Sequence, residues 1–158
     1  MSHLSRLVSL ILISSILLSC QMSQQLKTHR KELDRLAYSE NISMLDKFDG
    51  LADVMANALD ESLAYDSPLK TYKYVNKFTI QNQDAIKLLT EEINEWQNNM
   101  SQSEKIKFTA RSLTKPYSRK LIRVVPKVQQ TLSEGGYSLG PLEKVIVLFK
   151  IKQMIKDN

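Results

Sequence analysis

The sequence predicts an all-α fold, an up-down bundle of about four main helices that follows an N-terminal tether. Only four glycines and four prolines occur in 158 residues, and neither type lies between residues 69 and 115. Leu, Lys, Gln and Ile are abundant, and apolar residues recur at spacings of three and four, as they do on one face of a helix. Short polar stretches separate these segments, which is typical of antiparallel helical neighbours.

The first helix of the bundle is predicted to begin after Ser43, which can cap it. Asp46 then faces the positive end of the helix dipole. Gly50 lies inside the helix and costs about 1 kcal/mol relative to alanine. The apolar face of this helix is Met44, Phe48, Leu51, Met55, Ala58, Ser62 and Tyr65.

The next segment begins at Ser67 and Pro68, residue types that favour a helix start. Helical spacing then continues without interruption, so we predict one long helix over Pro68–Asn99. Asn82 falls on its apolar face, where we expect a hydrogen-bonded core asparagine. Alternation over residues 72–80 leaves a strand as the alternative at the start of this segment.

The second half of the chain opens on Ser101 and Glu104, which have the spacing of a capping box. An apolar stripe follows and keeps its phase across Pro116 and Pro126, so we predict a kinked helix or two collinear pieces. The stripe is Ile106, Ala110, Leu113, Tyr117, Leu121, Val124 and Val128. After the glycines at 135 and 136, a last helix opens at residues 140–141, and its segment 145–149 is apolar all round, as in a buried helix; a strand is the alternative there.

The N-terminus carries an apolar run from Leu7 to Leu18, preceded by a short polar start that contains Arg6. A helix of twelve residues spans about 18 Å, whereas a bilayer core requires about 30 Å. The run therefore has the pattern of a secretory signal rather than of a transmembrane helix. It ends on Leu17-Leu18-Ser19-Cys20, with the only cysteine of the chain. This tetrad resembles the lipobox of bacterial lipoprotein precursors, although Leu18 is bulkier than the residue often found at that position.

The resemblance covers only the first twenty residues. It implies that Cys20 is lipidated and that the chain is cleaved between Ser19 and Cys20, which anchors the protein to a membrane. Gln21, rather than Asp, follows the cysteine, which in this family favours the outer membrane of the cell envelope. We therefore divide the chain into a signal peptide (1–19), a partly helical lipidated tether (20–39) and a helical-bundle domain (40–158). His29 is interpreted as a solvated tether residue.

Composition argues against several classes of function. With Cys20 lipidated no thiol remains for a disulfide, and the formal charge of +5 is too small to imply nucleic acid as a partner. Two S-x-x-K matches, at Ser67 and Ser112, lack the companion motifs of penicillin-recognising enzymes. Because the tether holds the one histidine of the mature chain, a Glu-x-x-His di-metal site is excluded. We therefore expect no enzymatic activity, no cofactor and no metal site.

Charge segregation is the strongest remaining signal. Residues 40–66 hold seven acids and only Lys47 as a base, whereas residues 105–127 hold eight bases and no acid. One interpretation pairs the two segments inside the bundle, with an outward-facing remainder over 115–123. The other has the bases bind an anionic envelope polymer, a lipid surface or an acidic envelope protein. The candidate binding residues are Lys107, Arg111, Lys115, Arg119, Lys120, Arg123 and Lys127.

Two functions remain open for the mature domain. The first is a non-catalytic, membrane-anchored module that contacts a protein or an anionic envelope component. The alternative is a small-ligand-binding lipoprotein with a pocket between its helices. Such a pocket would be lined by the aromatic residues Tyr72, Phe78, Trp96 and Tyr117.

Overall fold

The computed structural model describes residues 3–149, with side chains at residue 17 and from residue 19 onward. Over this range the chain forms seven helices and no strand, so the all-α prediction is confirmed. The helices are α1 His3–Tyr38, α2 Met44–Leu63, α3 Pro68–Gln81, α4 Gln83–Asn99, α5 Gln102–Leu113, α6 Pro116–Glu134 and α7 Leu142–Leu148.

Helix α1 corrects the predicted tether. The helix is continuous to Tyr38, and its inward face is fully buried from Leu26 onward. His29, with 7% of its surface exposed, lies on the same face, so its interpretation as a solvated residue is wrong. The domain core therefore starts near residue 26 and not at residue 40. The buried face consists of Leu26, His29, Leu33, Leu36 and Ala37.

Helix α2 is the central helix, and it packs against α1, α3, α4 and α6. The predicted cap is confirmed, because the Ser43 hydroxyl accepts a hydrogen bond from the Asp46 amide at 3.1 Å. The centre of its predicted face is buried, from Phe48 to Ser62. Gly50 faces Leu36 of α1 so closely that a Cβ there would lie 2.7 Å from the Leu36 methyl carbons. The missing side chain is therefore what lets α1 and α2 approach.

The predicted long helix over Pro68–Asn99 is instead two helices, α3 and α4, which meet at Asn82. The strand alternative over 72–80 does not form, and the residues are helical. Asn82 is buried and donates its side-chain amide to the Phe78 carbonyl at 2.7 Å. An asparagine side chain that bonds to the backbone competes with the helical ladder, which accounts for the break. The expected hydrogen-bonded core asparagine is present, although its Oδ1 has no partner among the described residues.

The predicted capping box is present: Ser101 accepts from the Glu104 amide, and Glu104 accepts from the Ser101 amide at 2.7 Å. The chain then breaks between α5 and α6, where Lys115 is extended before Pro116, as residues before proline prefer. Pro126 is exposed inside α6 and does not end it.

The predicted apolar stripe does not keep its phase across Pro116. In α6 it is buried as predicted, from Tyr117 to Val128. In α5 it faces outward, with Ile106 63% and Leu113 40% exposed. Helix α5 packs instead through Phe108 and the buried Ser112.

Helix α7 follows two turn glycines with positive φ, Gly136 and Gly140. Residues 142–148 are helical, so the strand alternative is wrong for them. The segment is not buried all round, because Val147 is 69% exposed.

Neighbouring contacts fix the relative directions of the helices. His29 contacts Glu61, and Leu36 contacts Gly50, so α1 and α2 are antiparallel. Asp49 of α2 contacts Tyr117 of α6. Further along both helices, Asp60 of α2 contacts Arg123 of α6, so α2 and α6 run in the same direction.

Candidate functional site

Cys20 is exposed on α1, six residues before the first core residue, Leu26. Ser19 and Gln21, on either side of it, are exposed as well. Most of the predicted signal peptide lies outside the residues whose side chains the structure describes. Among the described residues, no helix combines the length and the apolar character needed to cross a membrane.

The bases of α5 and α6 lie against the acids of α2, which confirms internal pairing for part of the set. Arg111 donates hydrogen bonds to Asp49 through both terminal guanidinium nitrogens, Nη1 at 3.0 Å and Nη2 at 2.7 Å. Lys120 lies 3.4 Å from Asp60, and Arg123 lies 3.4 Å from the same carboxylate. The more exposed pairs of Lys120 and Arg123 with Asp60 contribute little stability, about 0–1 kcal/mol each.

Asp49 is the centre of the most extensive of these networks. Besides Arg111, it accepts a hydrogen bond from the Tyr117 hydroxyl at 2.8 Å and lies 3.3 Å from the Lys115 ammonium. Burial alone would raise the pKa of Asp49, but the hydrogen bonds from Arg111, Tyr117 and Lys115 outweigh it and lower the pKa. Burial and the Asp49 carboxylate together raise the pKa of Tyr117. The network joins α2 to the turn between α5 and α6.

The Asp49 network predicts a specific loss of stability in acid. Because the pKa of Asp49 is lower in the folded chain than its ordinary value of about 4, its contribution is present above that pH and is lost as the pH falls through the folded-state pKa. We expect Asp49→Asn to flatten the dependence of unfolding free energy on pH in this acidic range. Urea titrations at several pH values measure this, with the exposed Asp53→Asn as the control. Equal slopes for wild type and Asp49→Asn would contradict the assignment.

The pairing corrects the expected outward-facing set. Lys115, Lys120 and Arg123 contact α2 acids, although they lie in the segment predicted to face outward. Of the eight bases in residues 105–127, four form no ion pair within the described part of the chain: Lys105, Lys107, Arg119 and Lys127. Of these four, Lys105 is half-buried and the other three are exposed.

A polar cluster between α1, α2 and α3 was missed by the sequence reasoning. The Glu61 carboxylate accepts hydrogen bonds from His29 Nε2 at 2.7 Å and from the Tyr74 hydroxyl at 2.5 Å. The His29 ring also meets Phe78 edge-on, with ring centres 5.9 Å apart. Burial and the Glu61 carboxylate raise the pKa of Tyr74. The three-residue and four-residue spacing of His29 from Leu26 and Leu33 was the one signal that could have placed it in the core.

The four aromatic residues proposed to line one pocket are divided among three separate clusters, so the prediction that they line one pocket is wrong. Tyr72 stacks on Tyr137, with ring centres 4.3 Å apart. Phe78 contacts His29. Trp96 and Tyr117 belong to one packed aromatic cluster. Trp96 packs on Phe108, Phe108 packs on Phe48, and Phe48 packs on Tyr117.

A half-open groove of about 540 Å³ lies elsewhere, between α3, α4 and α7. Ile86 and Val145 are its buried apolar residues, and Lys87 and Lys144 are exposed on opposite helices. Thr79 and Thr90 also line it, but their hydroxyls donate to carbonyls of their own helices. The groove offers an apolar surface beside two cations and the exposed Glu91 carboxylate.

Within the described residues, no three His, Cys, Asp or Glu side chains converge into a group that could hold a metal ion. Comparison with models of protein families, with curated proteins and with solved structures found no match to this chain.

Proposed function

We propose that the chain is a non-catalytic lipoprotein of the cell envelope, anchored through Cys20 and placed at the outer membrane by Gln21. Its helical domain then contacts an envelope protein or an anionic envelope component. The observation that carries the proposal is the tetrad Leu17-Leu18-Ser19-Cys20, which ends on the only cysteine. The exposure of Cys20, ahead of the core, supports it, because acylation there would displace no packed side chain.

The proposal includes the architecture of the domain. We propose that α3 and α4 together form one member of the bundle, with a single break between them, and that α5 and α6 together form another. The described helices up to α6 then make a bundle of four members that alternate in direction. The antiparallel contacts of α1 with α2 support this reading.

The unpaired bases support an anionic contact. Lys107, Arg119 and Lys127 are exposed and have no acidic partner among the described side chains. An external phosphate or carboxylate would therefore meet exposed cations that form no ion pair within the described residues, and screening by salt would weaken the contact.

Replacement of Cys20 tests the anchor. In the full chain expressed in a bacterium with two membranes, Cys20→Ser is expected to abolish incorporation of labelled palmitate and to release the protein from the membrane fraction. The thiol is required because it forms the thioether to the lipid, and two or three acyl chains are needed for stable anchoring. Ser23→Ala, an exposed change on the same helix, should remain acylated and membrane-bound. A Cys20→Ser chain that is still cleaved after residue 19 and stays membrane-bound in high salt would refute the lipoprotein assignment.

The second candidate function is the binding of a small ligand in the groove between α4 and α7. The apolar surface of Ile86 and Val145 favours a ligand with an apolar body. Lys87 and Lys144 could bind an anionic group of that ligand, and Glu91 a cationic one. A rise in melting temperature with ligand concentration would decide for this function.

A further inference from the structure

Helix α5 presents an apolar strip to the outside of the molecule. Ile106, Ala110 and Leu113 are spaced by four and three residues and lie on one helical face. All three are exposed, whereas Phe108 and Ser112 hold the opposite face against the core. The strip is therefore not part of the bundle interior.

Two cations border this strip. At 3.6 residues per turn, Lys107 lies on one side of it and Lys105 on the other. Neither forms an ion pair within the described residues. The remaining charges of the helix are engaged elsewhere, since Glu104 caps the helix at Ser101 and Arg111 binds Asp49. The outward half of α5 is thus apolar in the middle and positive at both borders.

We propose that this face of α5 contacts an anionic phospholipid surface. The inference rests on the proposed function, because the anchor at Cys20 is what brings the domain to a membrane. Interfacial helices combine an apolar strip with flanking lysines in this way, and lysines near an anionic membrane are attracted to its surface. Three small or medium apolar side chains fall well short of the area of about 800 Å² per partner that a stable protein interface buries. A tethered helix needs less, because the anchor raises its effective concentration at the membrane.

The contact defines how the domain lies on the membrane. Sixteen residues of continuous helix separate Cys20 from Leu36, a distance of about 24 Å. Leu36 packs beside Gly50, next to Asp49, which binds Arg111 of α5. Helix α5 therefore lies about 24 Å from the anchor along α1. Both reach one bilayer when the long axis of the bundle lies along the membrane surface.

Site-specific labelling tests the contact. The chain from residue 20 onward, with Cys20→Ser, carries an N-terminal hexahistidine tag that holds it on vesicles through a nickel-chelating lipid, so that the tether remains without acylation. Either Ile106→Cys or Leu113→Cys is labelled with a polarity-sensitive fluorophore, and the vesicles consist of phosphatidylethanolamine and phosphatidylglycerol with that lipid. We expect emission to move to shorter wavelength and to be quenched by nitroxide-labelled lipids. The effect should be weaker on phosphatidylcholine vesicles and at 1 M salt, where the Debye length is only about 3 Å. Asn76→Cys, exposed on α3, provides the control site and should not respond.

Three outcomes would overturn the proposal. The first is a response at residues 106 and 113 no larger than that at residue 76. The second is an equal response on anionic and neutral vesicles that Lys105→Glu with Lys107→Glu leaves unchanged, because the contact would then not depend on charge. The third is a shift without vesicles that grows with protein concentration, which would assign the strip to a second copy of the chain. The label reports on α5 itself, so its result is independent of whether Cys20 is acylated.

Discussion

Replacing Leu33 with alanine is expected to lower the free energy of unfolding by about 2–5 kcal/mol, the usual cost of truncating a buried leucine. Leu33 lies at the middle of the buried face of α1 and has no exposed surface. The loss combines the transfer free energy of the missing methyl groups with the cavity that remains. Urea unfolding of the full chain, followed by circular dichroism, measures it.

Lys31→Ala is the matched control, because Lys31 is exposed on the same helix. Its effect should stay within about 0.5 kcal/mol, as for most surface changes. If Leu33→Ala and Lys31→Ala were equally mild, residues 26–37 would be a tether after all. A chain that lacks residues 1–39 would then fold. The packing of α1 on α2 and α4 predicts that it does not.

Replacing Glu61 with alanine is expected to cost more than the loss of an ordinary surface carboxylate. Glu61 is the acceptor for both the buried His29 ring and the buried Tyr74 hydroxyl. Each buried polar group that loses its partner costs about 1–3 kcal/mol. Denaturant unfolding gives the total loss.

A double-mutant cycle with Tyr74→Phe separates the two hydrogen bonds. Phenylalanine keeps the ring of residue 74 and removes only its hydroxyl, so the cycle isolates the Glu61–Tyr74 coupling, expected at about 0.5–3 kcal/mol. Asp60→Ala is the neighbouring control, because Asp60 makes only longer contacts with Lys120 and Arg123. A Glu61→Ala chain as stable as Asp60→Ala would show that the cluster contributes nothing.

Local signals predicted the starts of two helices correctly. The Ser43 cap and the Ser101–Glu104 capping box were predicted because each depends on residues three apart in sequence. The apolar face of α2 was equally legible, since its period is uninterrupted.

Other boundaries depended on packing that the sequence does not display. The buried face of α1 contains His29, and a polar residue at that position interrupts the apolar period in the sequence. His29 can be buried because Glu61, 32 residues away, is its hydrogen-bond partner. Asn82 ends a helix because its side chain bonds to the backbone. Pro126, in contrast, is exposed to solvent and does not end α6. Neither outcome follows from residue type alone.

The candidate site was predictable only as a charge pattern. Opposite charge in two segments indicated that they meet, but the Asp49–Arg111 contact joins residues 62 apart, so individual partners could not be assigned. The outward strip of α5 was hidden by the same cause, because its residues continue the apolar period of α6 while the turn at Pro116 rotates them away from the core.

The continuous passage of α1 from Cys20 into the core limits the reach of the molecule. An extended linker of twenty residues could span about 66 Å, enough to let a domain search for partners far from its anchor. Here the first core residue follows Cys20 by six residues of helix, a rise of about 9 Å. With a lipid on Cys20, the domain would be confined to a shallow layer next to its own leaflet. A binding partner would therefore have to enter that layer to contact the domain.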